Sequence, residues 1–242
     1  MKNFSLFFCL FTLLSVNAQN SQIAGQVIYD YQLNPSEETG FYNVTSILNF
    51  SNNTSLYEID HSKATSQTSS DMDFNIKSEE NEFVYKDYRS QNMYYIDFIN
   101  FTEIFIKDNL NMLDWTLNEN TKEILGYQCQ EATTSYGGRF YIAYYTSEIP
   151  VANGPWRFNG LPGLILEVQS IDKVFNLKAT SIKIEDKQIE IKNPYKNKTQ
   201  ITWQEFLDLY KKKYDEVLRN NMTEFGPRNV MAKRGIVEYI KE

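Results

Sequence analysis

The side chains in this sequence that could do chemistry are few and scattered. His61 is the only histidine, so no imidazole pair exists to share a metal. No G-x-S-x-G elbow sets a serine beside it. Cys129 stands in an alternating stretch with no cationic neighbour to turn its thiol into a thiolate, and reads as a buried structural cysteine. Paired acids could hydrolyse a glycosidic bond. Asp71/Asp73, Glu79/Glu80 and Glu185/Asp186 lie in polar stretches where solvation explains them. Glu167 is different, because it interrupts the apolar run Leu164-Ile165-Leu166-Glu167-Val168. Arg157, beside Trp156, could pair with it or hold an anionic ligand. The competing reading of Glu167 is the outward face of a strand. There is no His/Cys cluster, no D-x-D-x-D-G loop and no glycine-rich phosphate loop, so neither a metal nor a cofactor is expected.

The elements that must position these residues are organised around a punctuated corner. Asn153-Gly154-Pro155-Trp156 reads as one tight turn carrying a large aromatic. Gly160-Leu161-Pro162-Gly163 reads as a second, with Pro162 and Gly163 at the centre of a type II turn. Leu164 and Ile165 then open a buried strand. None of these side chains is a nucleophile or a soft ligand, so the corner is architecture first.

Upstream and downstream, short aromatic-rich strands follow one another with no helical period between them, which indicates an antiparallel meander. They cover 25–60, 82–89, 92–99, 102–107, 111–117, 123–134, 139–147 and 174–191. Ile182 and Ile184 have the opposite parity to Phe175, Leu177 and Ala179, so a bulge near Thr180 is needed to keep them inward. In 139–147, Tyr141, Ala143 and Tyr145 share one face while Phe140, Ile142 and Tyr144 share the other. Both faces are greasy, so both are expected to be covered. Residues 61–81 form a long polar loop, a candidate lid. The one helix is 203–220, opened by the Thr202/Glu205 capping box and carrying one apolar stripe from Trp203 to Leu218. The fold expected is mainly β: a strongly curved antiparallel sheet or half-barrel with this long C-terminal helix packed on it.

Residues 1–18 read as a secretory leader: Lys2, an apolar stretch from Phe4 to Val16, and the small-residue site Val16-Asn17-Ala18. The chain is then exported as a single domain, 19–242, with Cys129 its only thiol and no disulfide. The formal net charge of −7 becomes −8 when Lys2 leaves with the leader, which argues against nucleic-acid and anionic-membrane partners. No later segment is apolar enough to span a bilayer.

Three blocks carry a resemblance: Ile124-Leu-Gly-Tyr-Gln-Cys129-Gln-Glu-Ala132, Tyr144-Tyr-Thr-Ser-Glu-Ile-Pro150, and Gly154-Pro-Trp-Arg-Phe-Asn-Gly160-Leu-Pro-Gly-Leu-Ile-Leu166. Together they resemble the GLPGLI family of exported Bacteroidetes proteins. The resemblance implies a Gram-negative envelope, periplasmic or outer-membrane-associated, and transfers no functional residue. The expected function is a non-enzymatic binding or carrier module. Its concave face, with Tyr141, Tyr145, Trp156, Arg157 and Glu167 as ligand-facing residues, would take a lipid or other hydrophobic ligand. Two alternatives are an interaction module for an outer-membrane protein partner and a carboxylate-dependent hydrolase.

Overall fold

The computed structural model describes residues 23–34, 41–51, 53–61, 64–67, 81–99, 102–185, 189–223 and 226–227. The expected leader, most of the 61–81 loop and the chain beyond 227 lie outside the described residues.

The elements run β1 (Ala24–Leu33), β2 (Phe41–Phe50), β3 (Thr54–Ile59), β4 (Thr65–Gln67), β5 (Glu82–Asp87), β6 (Asn92–Ile99), β7 (Thr102–Asn109), β8 (Thr116–Ile124), β9 (Tyr127–Tyr136), β10 (Arg139–Thr146), β11 (Leu164–Ser170), β12 (Phe175–Glu185) and β13 (Gln200–Ile201), then helix α1 (Trp203–Asn221). Among the described residues one 13-stranded sheet dominates, in the order β13-β7-β6-β5-β3-β2-β1-β12-β11-β10-β9-β8, with β4 beside β2. All its pairs are antiparallel except β13 with β7. The sheet is open: β13 and β8 are its ends. Among the described residues the protein is thus mainly β with one helix, and the sheet does not close into a barrel.

Alternation explains the strands. Val27, Tyr29 and Tyr31 of β1 are buried, as are Val44, Leu48 and Phe50 of β2. The parity change in β12 is absorbed where the sequence requires it, but only Ile182 is turned toward the core, and Ile184, expected inward, is 39% exposed. Ile28 faces Ser181 and Tyr29 faces Ala179, which leaves Thr180 as the extra residue. Its hydroxyl donates to the Ile28 carbonyl at 3.2 Å.

Two sequence expectations are corrected. Residues 111–115 are not a strand, and β8 begins only at Thr116. The chain turns inward there: Leu110 is buried and the Trp115 indole N–H donates to the Asn159 carbonyl at 2.8 Å. Nor is the second face of β10 fully covered, since Phe140 is 64% exposed. The aromatics on that face are held by local partners. Tyr144 lies under Lys122, with the ammonium 3.6 Å from its ring, and donates to Glu131 at 2.9 Å.

Helix α1 starts with a capping box. Glu205 N–H donates to the Thr202 hydroxyl at 3.2 Å, while the Glu205 carboxylate accepts from the Thr202 backbone N–H at 2.7 Å. Phe206 and Tyr210 are buried, and Trp203 stacks on Phe206 with ring centres 5.1 Å apart. Burial of such side chains stabilises by about 1.5–3 kcal/mol each before entropy is subtracted. Trp203 also reaches the Tyr95 ring of β6, at 6.3 Å. Among the described residues no helix is long and apolar enough to cross a membrane.

Candidate functional site

The Pro/Gly corner between β10 and β11 folds inward as a buried irregular segment, 149–163. Asn153, Gly154, Pro155, Arg157, Phe158, Asn159, Leu161 and Gly163 are all buried. A buried loop must find partners for its peptide groups. Here β5 supplies one. Lys86, with no exposed surface, donates to the carbonyls of Gly154 (2.7 Å) and Phe158 (2.9 Å) and to Asn153 Oδ1 (3.3 Å). Burial pushes its ammonium well below the ordinary lysine value. The Asn153 side chain also accepts from Gly154 N–H at 2.8 Å, so Lys86 ties the first turn to the Phe158 peptide beyond it.

Within the segment the two turns use their residues differently. Gly160 takes φ 91°, a left-handed position that suits glycine, whereas Gly163 does not take a positive φ. The type II turn expected at Pro162-Gly163 is therefore corrected. Gly163 is needed because a Cβ there would overlap the Thr146 backbone, with the carbonyl carbon only 2.6 Å away. Trp156 is held at φ 47°. A bulky residue in that region costs of order 1–3 kcal/mol, and such strain concentrates at ligand sites.

That strained turn aims Arg157 into a nest of rings and polar groups. Its guanidinium lies 3.9 Å from the Tyr95 ring, 4.6 Å from Trp156 and 5.0 Å from Trp203. It donates to Asp97 of β6 at 3.2 Å and to the Tyr136 hydroxyl of β9 at 3.1 Å. One buried side chain thus bridges strands that stand far apart in the sheet order.

A cavity of about 150 Å³ adjoins this nest. Trp156, Tyr31 and Phe98 give it aromatic walls, and Asp97, Glu82 and Arg157 give it charge. Phe98 is 38% exposed, and Glu82 reaches from the cavity to His61 at 3.3 Å. His61 is itself buried, its Nδ1 2.5 Å from the Tyr42 hydroxyl. Burial, with Glu82 adding to it, pushes that hydroxyl up to about 12, so it keeps its proton at neutral pH. The Tyr57 hydroxyl is buried beside Ser46 without a hydrogen bond of good geometry.

The residues singled out from sequence divide into three places. Trp156 and Arg157 line the cavity together. Tyr141 and Tyr145 lie in the core: Tyr141 packs on Phe158 (5.0 Å) and Phe175 (5.8 Å), and Tyr145 donates to Gln130 at 2.8 Å. Glu167 sits across from Tyr144, on the other side of the sheet from Tyr145, with Lys122 2.5 Å from its carboxylate. Arg157 therefore does not pair with Glu167. Cys129 is buried, and burial pushes its thiol up to about 11, which removes it as a nucleophile at neutral pH. No group of three or more potential metal ligands occurs among the described residues.

Sequence reasoning missed Lys86, Asp97 and Glu82. Lys86 could have been found, because it shares the parity of Val84, a core position in the same strand. Asp97 could not, since it lies 60 residues from its partner Arg157.

Comparison with known proteins replaces the first family resemblance. The family model described as "N-glycanase peptide, N-terminal domain" matches residues 42–208. This overturns the GLPGLI assignment: the turn-rich block occurs within an N-glycanase-type N-terminal domain. A solved structure of PNGF-II in a P21 crystal has 21% identity and a TM-score of 0.51, covering 80% of this chain and 34% of that one. A C2 crystal of PNGF-II gives 19%, 0.49, 80% and 33%. The present chain thus spans about a third of the length of PNGF-II, and the likeness is one of fold. No curated protein sequence is a match.

Proposed function

The chain belongs to the N-glycanase N-terminal domain family, and from that membership we propose that it is a non-catalytic binding module acting outside the cytoplasm, with a saccharide as its ligand. The observation that carries this reading is the Trp156–Arg157 cavity. Aromatic faces accept the apolar C–H face of a sugar ring, while carboxylates and a guanidinium take its hydroxyls. At about 150 Å³ the cavity is smaller than the roughly 300–1,000 Å³ of sites for drug-sized ligands. It suits one ring of a longer glycan. Membership in an N-glycanase family supports the same ligand class.

Binding is favoured over hydrolysis because the acids are already engaged. Asp97 holds Arg157, Glu82 holds His61, and Glu167 holds Lys122 behind the sheet. A long acyl chain is a poorer fit to this face, which the chain's own 149–163 segment fills. The strong curvature of a half-barrel belongs to the same reading, supported by Arg157 reaching both β6 and β9. Export rests on the leader-like residues 1–18, and a periplasmic or outer-membrane location goes with it.

The experiment is calorimetric titration with chitobiose and with a released N-glycan. Wild type binds, and Glu82→Gln and Phe98→Ser, both at partly exposed positions, weaken binding tenfold or more, the first by the loss of a charged hydrogen bond and the second by the loss of an apolar ring face. Failure of both sugars to bind, or unchanged affinity in both folded variants, refutes the proposal.

A further inference from the structure

A second feature of the fold stands apart from the cavity. Between α1 and the β6–β7 hairpin runs an open groove of about 370 Å³. Ile99 and Ile104 form one wall, and Leu209 of the helix forms the other. Leu209 is 46% exposed, off the stripe that docks α1 through Phe206 and Tyr210. A lone exposed leucine is ordinary. A leucine facing two isoleucines across a slot is a place for an apolar chain.

The polar rim is basic. Lys212 and Lys213 line the groove, and Lys211 precedes them in the helix. Glu216 is the acid on the rim, and it is engaged by Lys213 at 3.2 Å. Lys212 is exposed and makes no ion pair among the described residues. In a chain of net charge −7, the groove's own lining carries two lysines against one acid, directly beside exposed apolar surface. The volume falls in the range of small-molecule sites, roughly 300–1,000 Å³.

We infer that this groove binds a single-chain anionic amphiphile, its alkyl chain between Leu209 and the two isoleucines and its head group at Lys212. A slot between two walls admits one chain, whereas a bilayer requires a protruding surface; the overall negative charge also opposes docking on anionic lipid. The site is independent of the saccharide cavity.

The test uses the full chain and dodecanoate below its micellar concentration, with dodecyl maltoside as the same chain lacking charge and phosphatidylglycerol vesicles as the bilayer source. Dodecanoate binds saturably. Leu209→Gln weakens it about tenfold, the scale of one leucine side chain's burial. Lys212→Glu weakens dodecanoate binding but leaves the maltoside unchanged. Circular dichroism confirms that both variants fold. The inference is overturned by absent binding, by equal affinity in Leu209→Gln, or by binding to vesicles alone.

Discussion

Gly163 lies so close to Thr146 that no side chain fits between them: a Cβ on Gly163 would overlap the Thr146 carbonyl oxygen. Gly163→Ala should therefore cost about 3 kcal/mol, at the upper end of overpacking, because the obstacle is backbone. Gly126→Ala is the control. It has φ 84° but nothing within 4 Å of the added carbon, so its cost is conformational alone, about 1 kcal/mol. Chemical denaturation of both variants checks the ranking.

Lys86→Met should orphan the carbonyls of Gly154 and Phe158 and the Asn153 amide oxygen, costing about 2–4 kcal/mol. The pH dependence has a definite sign. Burial lowers the folded-state value, so the unfolded chain binds the proton more readily. The group's penalty is full below the lowered value and fades as pH rises to the ordinary lysine value of about 10.4. Stability relative to Lys86→Met should accordingly grow as pH rises from the lowered value toward about 10. A flat difference in melting temperature would sink this account.

Arg157→Lys keeps the charge but loses the planar stack on Tyr95 and the second donor to Tyr136. The expected loss is about 2 kcal/mol. Near-ultraviolet circular dichroism should change as well, since Trp156 and Trp203 both flank the guanidinium.

Thr202→Ala removes the side-chain half of the cap on α1 and should cost about 1 kcal/mol. The Thr202 backbone N–H, and then its hydroxyl, hold the Glu205 carboxyl below its usual range. The capping contribution is thus complete above the unfolded carboxylate value and is lost as pH falls through the lowered one. Wild type should show this acid limb in helical signal more strongly than Thr202→Ala, as far-ultraviolet circular dichroism at graded pH can show.

What the sequence made legible was local. Period-two alternation marks β1, β2 and β10, the parity change marks the extra residue Thr180, and the capping box marks the start of α1. The importance of the Gly154–Ile165 block was legible too, although its reason was not: Gly163 serves a close approach that depends on where β10 ends. The site was half legible. Trp156 and Arg157 stand out by type, yet their partners Asp97, Tyr95 and Tyr136 come from strands that only the sheet order brings near. Glu167 misled because its partner Lys122 lies 45 residues away, on β8.

The central pairing of β1 with β12 has a kinetic meaning. Ile28 and Thr180 meet across 152 residues of chain, and apart from that seam each half of the sheet is built mostly from neighbours in sequence. Strand β1 must wait, with one edge open, until β12 has been made. Closing so long a loop is slow, so the chain's most vulnerable moment falls in that interval, when an unpaired β1 offers its edge to any other strand.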